Sequence, residues 1–201
     1  ARSCPEYGLT EREIRSISSA AALHDIGKIA IPDAILNKNQ PLTPQEFEVM
    51  KTHTLSGSRM LENLSGAADQ DYLRYAYHIC RYHHERWDGR GYPEGLRGDQ
   101  IPLCAQVVGL ADAFDALTSD RAYKAAYPYE KAVNMILAGE CGTFSPRLLE
   151  CFKHVRGQFA ELVRCPEDIV PGDLELPAPE GTGQIDTLQL LRNKYQALLH
   201  Y

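Results

Sequence analysis

Four histidines, His24, His53, His83 and His84, occupy or adjoin the apolar stripes of three separate helical patterns, so any fold of this chain must take imidazoles into its interior. Thr10-Glu11-Arg12-Glu13 reads as a capping box. Ile14, Ile17, Ala21 and His24 then recur at three, four and three residues, which predicts a helix from about Thr10 to about Asp25. Thr43, Pro44 and Glu46 give a second start signal, followed by the stripe Phe47, Met50, His53, Gly57, Met60 and Leu64. Leu73, Ala76, Cys80 and His83 predict a third helix, from about Asp71 to His84. A fourth, from Pro102 to about Leu117, puts Asp112 and Asp115 on one face. Two more are expected near residues 129–139 and 145–155, the latter capped by Ser145 with Pro146 in its first turn. Strict apolar alternation persists nowhere, so the fold class is all-α. Between the third and fourth helices, residues 85–101 hold Gly89, Gly91, Gly95, Gly98 and Pro93 without periodicity, a loop long enough to suggest a functional role.

Taken singly, a histidine on an apolar face reads as a hydrogen-bonded core residue. The set reads differently. Burying several imidazoles and the carboxylates Asp25 and Asp112 without partners costs kilocalories per group, whereas a shared divalent cation satisfies them together. Imidazole and carboxylate donors suit iron, manganese or zinc, and no cysteine joins the constellation, which argues against a structural zinc site. The adjacent pair His24-Asp25, on a helix, points its side chains about 100 degrees apart, so one aspartate can bridge two ions. Two bridged cations are a standard arrangement for phosphoester cleavage by water. No G-x-S-x-G elbow or comparable nucleophile motif is present.

His24-Asp25-Ile26-Gly27-Lys28, Ile31-Pro32-Asp33, Lys51-Thr52-His53, His83-His84-Glu85-Arg86-Trp87-Asp88-Gly89, Gly91-Tyr92-Pro93 and the run from Ala111 to Ser119 resemble, in order, the HD-GYP family. The resemblance implies an all-α HD fold, hydrolysis of cyclic di-GMP to linear pGpG or to GMP, and two or three divalent metal ions, iron or manganese. It makes His24, Asp25 and Asp112 ligands of the central ions, and His53, His83 and His84 the set for a neighbouring ion bridged by Asp25. His24, Asp25, Lys28 and Asp112 are then the catalytic residues, with Lys28 on a phosphate. Tyr92, Arg121 and Lys124 match positions that hold the dinucleotide, and their chemistry fits: an aromatic face for guanine, a guanidinium and an ammonium for phosphate. Tyr92 could instead pack the loop. Asp115 stays open between a third-ion ligand, a substrate or water contact and a solvated helix carboxylate. The family's early histidine, and the glutamate of its three-metal type, precede Thr10 in the pattern and have no match here, so the first helix is expected to be incomplete. Ser145 stands where the family usually has aspartate, with a structural consequence expected.

A formal charge of −6 excludes a surface built to neutralise long nucleic acid but leaves room for a small nucleotide. Six cysteines without a C-x-x-C pair are expected as reduced thiols. The absence of a membrane-length apolar run and of a signal-peptide core in the first residues predicts a soluble, cytoplasmic protein, and the HD-GYP resemblance implies a bacterial signalling role. Residues 1–165 are read as the catalytic domain, 166–184 as a Pro/Gly-rich linker and 185–201 as an amphipathic helix, with Leu188, Leu191, Tyr195 and Leu198 set to pack on the domain or on a second chain of a homodimer. GGDEF-type signalling proteins are candidate partners through the G-Y-P loop. Two rival readings stand beside this one: an HD phosphohydrolase for another nucleotide, against which the G-Y-P loop weighs, and a catalytically silent cyclic di-GMP sensor or docking module, against which the six intact ligands weigh.

Overall fold

A computed structural model describes residues 7–64, 70–120 and 125–164. They form α1 (Glu11–Ala21), α2 (Asp33–Leu36), α3 (Pro44–Glu62), α4 (Gln70–Tyr82), α5 (Leu103–Thr118), α6 (Tyr129–Ala138) and α7 (Pro146–Arg164), with 3-10 turns at Ile26–Ala30 and Gly98–Gln100. Among the described residues the only extended pairing is an isolated bridge, Asp88 to Arg97, so the all-α expectation holds. The linker and C-terminal helix expected from the sequence lie outside the described residues, as do Arg121 and Lys124.

The helix starts follow the local chemistry. At α1 the Thr10 hydroxyl accepts from Glu13 N at 3.2 Å while the Glu13 carboxylate accepts from Thr10 N at 2.8 Å. At α3 Thr43 and Glu46 repeat the exchange at 3.3 and 2.7 Å, with Pro44 in the first turn. Ser145 Oγ accepts from Leu148 N at 3.5 Å, so the substituted serine still caps α7, which runs to Arg164 rather than ending near residue 155.

Two apolar clusters share α5. Ile17 and Ala20 of α1, Leu61 of α3, and Ala76, Ile79 and Cys80 of α4 pack on Cys104 and Val108. Leu110, Phe114 and Leu117 pack the other way, onto Ala132, Val133 and Ile136 of α6 and Leu148 and Phe152 of α7. Each fully buried large side chain contributes about 1.5–3 kcal/mol, which fixes α5 as the common wall.

Four further expectations are corrected. The first helix stops at Ala21: Leu23, His24, Ile26 and Lys28 each donate a backbone hydrogen bond three residues back, so His24 and Asp25 sit in a tight turn and not on a helix. Likewise α4 ends at Tyr82, one residue before His83. The buried face of α3 is His53, Thr54, Gly57, Ser58 and Leu61, rotated from the expected stripe, and Phe47 and Leu64 are exposed. Small residues explain the rotation. A Cβ on Gly27 would stand 1.9 Å from the His53 carbonyl oxygen, and one on Gly57 2.3 Å from Cys80 Sγ, so the 3-10 turn seats directly on α3. Thr54 and Ser58 meet the cost of burial by donating to Lys51 and Leu55 carbonyls on their own helix, each at 3.0 Å. Finally, Cys80, Cys104 and Cys141 are free, but Cys151 is disulfide-bonded, against the expectation of six reduced thiols.

Candidate metal centre

The turn after α1 brings Asp25 to the middle of the histidines. Its Oδ1 lies 3.3 Å from His53 Nε2 and 3.8 Å from His83 Nε2; its Oδ2 lies 2.5 Å from Lys28 Nζ and 3.3 Å from His24 Nε2. His24 Nε2 also lies 3.7 Å from Asp112 Oδ1 on α5. Asp25, His53, His83 and His84 each offer a donor atom within 4.8 Å of the others. The ring centroids of His83 and His84 are 4.0 Å apart, those of His53 and His84 5.2 Å, and those of His24 and His83 5.1 Å. All six expected ligands therefore gather at one end of the α3, α4 and α5 packing. His83 is held there by α5, because a Cβ on Gly109 would stand 2.4 Å from the His83 carbonyl oxygen.

The tautomers are set by the backbone. His24 Nδ1 is 2.8 Å from Ala21 O, His53 Nδ1 is 2.7 Å from Met50 O, and His83 Nδ1 is 2.9 Å from Ile79 O. A carbonyl only accepts, so in each neutral ring Nδ1 carries the proton and Nε2 presents its lone pair to the centre. His53 Nε2, His83 Nε2 and Asp25 Oδ1 are buried there without any hydrogen-bond partner. Orphaned acceptors of this kind cost about 1–3 kcal/mol each, and a cation is the species that satisfies acceptors alone.

The protonation tendencies agree. Burial, followed by the like charge of its neighbours, pushes His83 well below the ordinary imidazole value, and the same causes lower His84 to about 4. Burial also lowers His53. For His24 burial acts downward too, but the neighbouring carboxylates of Asp112 and Asp25 outweigh it and raise the ring to about 10. Burial opposes ionisation of both carboxylates, yet His24 holds Asp112 below the usual range, and His24 with Lys28 does the same for Asp25. The pocket thus combines two carboxylates that demand positive charge with three imidazoles that resist protonation, a donor set that fits a divalent cation.

Around the cluster stands the loop of residues 85–101. Glu85 accepts from Glu94 N (2.7 Å), Gly95 N (3.1 Å) and Leu96 N (3.0 Å), closing the loop on itself. Trp87 N and Asp88 N donate to Thr143 O and Oγ1 at 3.0 and 3.1 Å. Tyr92 N donates to His84 O at 3.2 Å, and the Tyr92 ring lies 4.8 Å from that of His84, so Tyr92 borders the cluster. Asp115 does not join it: the carboxylate is exposed and accepts from Ser119 Oγ at 3.2 Å. No local signal in the sequence singles out Glu85, because the backbone donors that converge on it lie nine to eleven residues later.

The family described as HD domain matches residues 1–146. A cyclic di-GMP phosphodiesterase of Thermotoga maritima is 41% identical over 167 residues, covering 83% of this chain and 44% of that protein. A 3'3'-cGAMP-specific phosphodiesterase 2 of Vibrio cholerae is 40% identical over 144 residues, covering 72% of this chain and 27% of that one. The chain thus spans less than half the length of these relatives. Among solved structures, Bd1817, a HDG"Y"P protein from Bdellovibrio bacteriovorus, superposes with a TM-score of 0.58 at 23% identity over 79% of this chain and 48% of that one, a likeness of fold alone. The chain belongs to the HD domain family.

Proposed function

We propose that this chain is a metal-dependent phosphodiesterase that hydrolyses cyclic di-GMP to pGpG or GMP in bacterial second-messenger signalling. The observation that carries the reading is the convergence of three orphaned acceptor atoms, Asp25 Oδ1, His53 Nε2 and His83 Nε2, with His84 in reach of all of them. His24, Asp25 and Asp112 would hold one cation and His53, His83 and His84 a neighbouring one, with Asp25 facing both groups. Iron or manganese suits these donors, in two or three positions. Bound cations supply such a reaction with an acidified water and with neutralisation of phosphoryl charge.

The protein's own part is positioning. Lys28 stands beside Asp25 at the edge of the centre, where its ammonium can take a phosphate oxygen. Tyr92 gives an aromatic edge to the same rim. Asp115, exposed one turn beyond Asp112, is assigned to the substrate side, and Arg121 and Lys124 to the second phosphate. No helix of the described residues is long and apolar enough to cross a membrane. A cytoplasmic setting, docking of GGDEF-type proteins on the G-Y-P loop and pairing through the C-terminal segment complete the proposal.

The test is elemental analysis of anaerobically purified protein beside turnover of cyclic di-GMP and 3'3'-cGAMP. We expect bound iron or manganese and hydrolysis that Asp112→Ala abolishes. Absence of any transition metal, or an Asp112→Ala protein as fast as the wild type, overturns the metal mechanism. Metal-loaded protein that binds cyclic di-GMP and never cleaves it is a sensor instead.

A further inference from the structure

We infer that Phe47 and Lys51 of α3, together with Tyr92, form a base subsite that selects guanine over adenine at the mouth of the metal centre, an inference that rests on the cyclic-dinucleotide reading above. Phe47 belongs by spacing to the apolar stripe of α3, yet its side chain is 45% exposed. Its exposure is not random. The ring stands edge-on to Tyr92, with centroids 6.2 Å apart and planes 84 degrees apart, and Tyr92 in turn lies 4.8 Å from His84. The aromatic wall therefore runs outward from a metal-centre histidine to an open phenyl ring.

Lys51, one helical turn from Phe47, places its ammonium 5.3 Å from the Phe47 centroid and 5.7 Å from that of Tyr92. Its ion pair with Glu48, at 2.6 Å, engages a carboxylate that is largely in solvent, and such pairs hold weakly. An ammonium has three donors and no acceptor, so donors are left for a ligand. The outer edge of guanine presents two acceptors, O6 and N7, whereas adenine offers N7 beside an amino donor. A base covering Phe47 thus gains from Lys51 if it is guanine and meets a donor facing a donor if it is adenine. Stacking on the phenyl ring itself is indifferent to the base. The two residues divide the work: Phe47 supplies affinity and Lys51 supplies choice.

Isothermal titration of the full chain with cyclic di-GMP, 3'3'-cGAMP and cyclic di-AMP, with metal content measured on each protein, tests this. Wild type should prefer the ligands in that order. Lys51→Met should lose roughly tenfold in affinity for cyclic di-GMP and little for cyclic di-AMP, while Lys51→Arg keeps the order. Phe47→Ala should weaken all three by roughly tenfold, and Phe47→Leu, which preserves the apolar volume, should do nearly the same. Metal content should not change in any variant. A Lys51→Met protein with unaltered preference, a wild type with no preference, or loss of metal in both Phe47 variants overturns the subsite. A wild type that binds metal but none of the three ligands overturns the cyclic-dinucleotide reading itself, and the subsite with it.

Discussion

Asp25→Asn separates the two sides of the residue at the middle of the cluster. Asparagine keeps the shape and removes the charge. On the Oδ2 side the change loses the 2.5 Å contact from Lys28 and the approach of His24. Charge-assisted hydrogen bonds contribute about 1.5–3 kcal/mol, and because the Lys28 side chain is 35% exposed, solvent screening reduces this to about 1–2 kcal/mol. At about 2–4 °C per kcal/mol for a chain of this size, the metal-free melting temperature should fall by roughly 2–8 °C. On the Oδ1 side the loss appears only when a cation is present. A ligand at a hundred times its dissociation constant stabilises the native state by about 2.7 kcal/mol, or roughly 5–11 °C, and the variant forfeits most of that. Thermal melts of both proteins, stripped with chelator and then reloaded with manganese, give four temperatures. The gap between wild type and variant should widen by roughly 5–11 °C on reloading. An equal gap with and without manganese refutes Asp25 as a ligand and leaves it a structural partner of Lys28.

Gly109→Ala forces a methyl against the His83 carbonyl oxygen, a close approach that typically costs about 1–3 kcal/mol, and urea denaturation should show it along with reduced metal content. Glu85→Gln removes the charge that three backbone donors share, so the Glu94, Gly95 and Leu96 amides should exchange faster while metal content is kept; unchanged exchange there means the loop is held elsewhere. In chelator-treated protein the melting temperature should peak near neutrality. His84, lowered to about 4, costs stability as pH falls from the ordinary 6.5 toward 4, because only the unfolded chain then takes the proton. His24, raised to about 10, contributes fully below 6.5 and loses that contribution as pH rises through 10; a melt that stays flat from 6.5 to 10 contradicts its pairing with Asp25 and Asp112.

The helices were legible because their starts are written locally: Thr10 with Glu13 and Thr43 with Glu46 form the capping boxes their spacing announces. The rotation of α3 was not legible, since it depends on Gly27 and Gly57 meeting across the core, which no periodicity within one helix reveals. The same contact accounts for the early end of α1. No glycine or proline marks residues 22–25, but the 3-10 turn that follows must bring Gly27 against the His53 carbonyl, and an α-helix continued to Asp25 would carry the chain past it.

The metal centre shows how a site can be partly local and partly tertiary. Each of His24, His53 and His83 fixes its ring by a bond from Nδ1 to a carbonyl three or four residues earlier, so the direction of the lone pair is determined by the turn or helix that carries the histidine. That component travels with the sequence. What the sequence does not contain is where these three segments lie relative to one another, and there α5 decides, holding His83 through Gly109 while presenting Asp112 to His24. Orientation set locally and distance set by packing predict different failures. A change such as Gly109→Ala should shift a ring whose tautomer is still correct, weakening one cation position in degree. A charge change at Asp25 removes a donor from both groups at once, because its Oδ2 faces His24 while its Oδ1 faces His53 and His83.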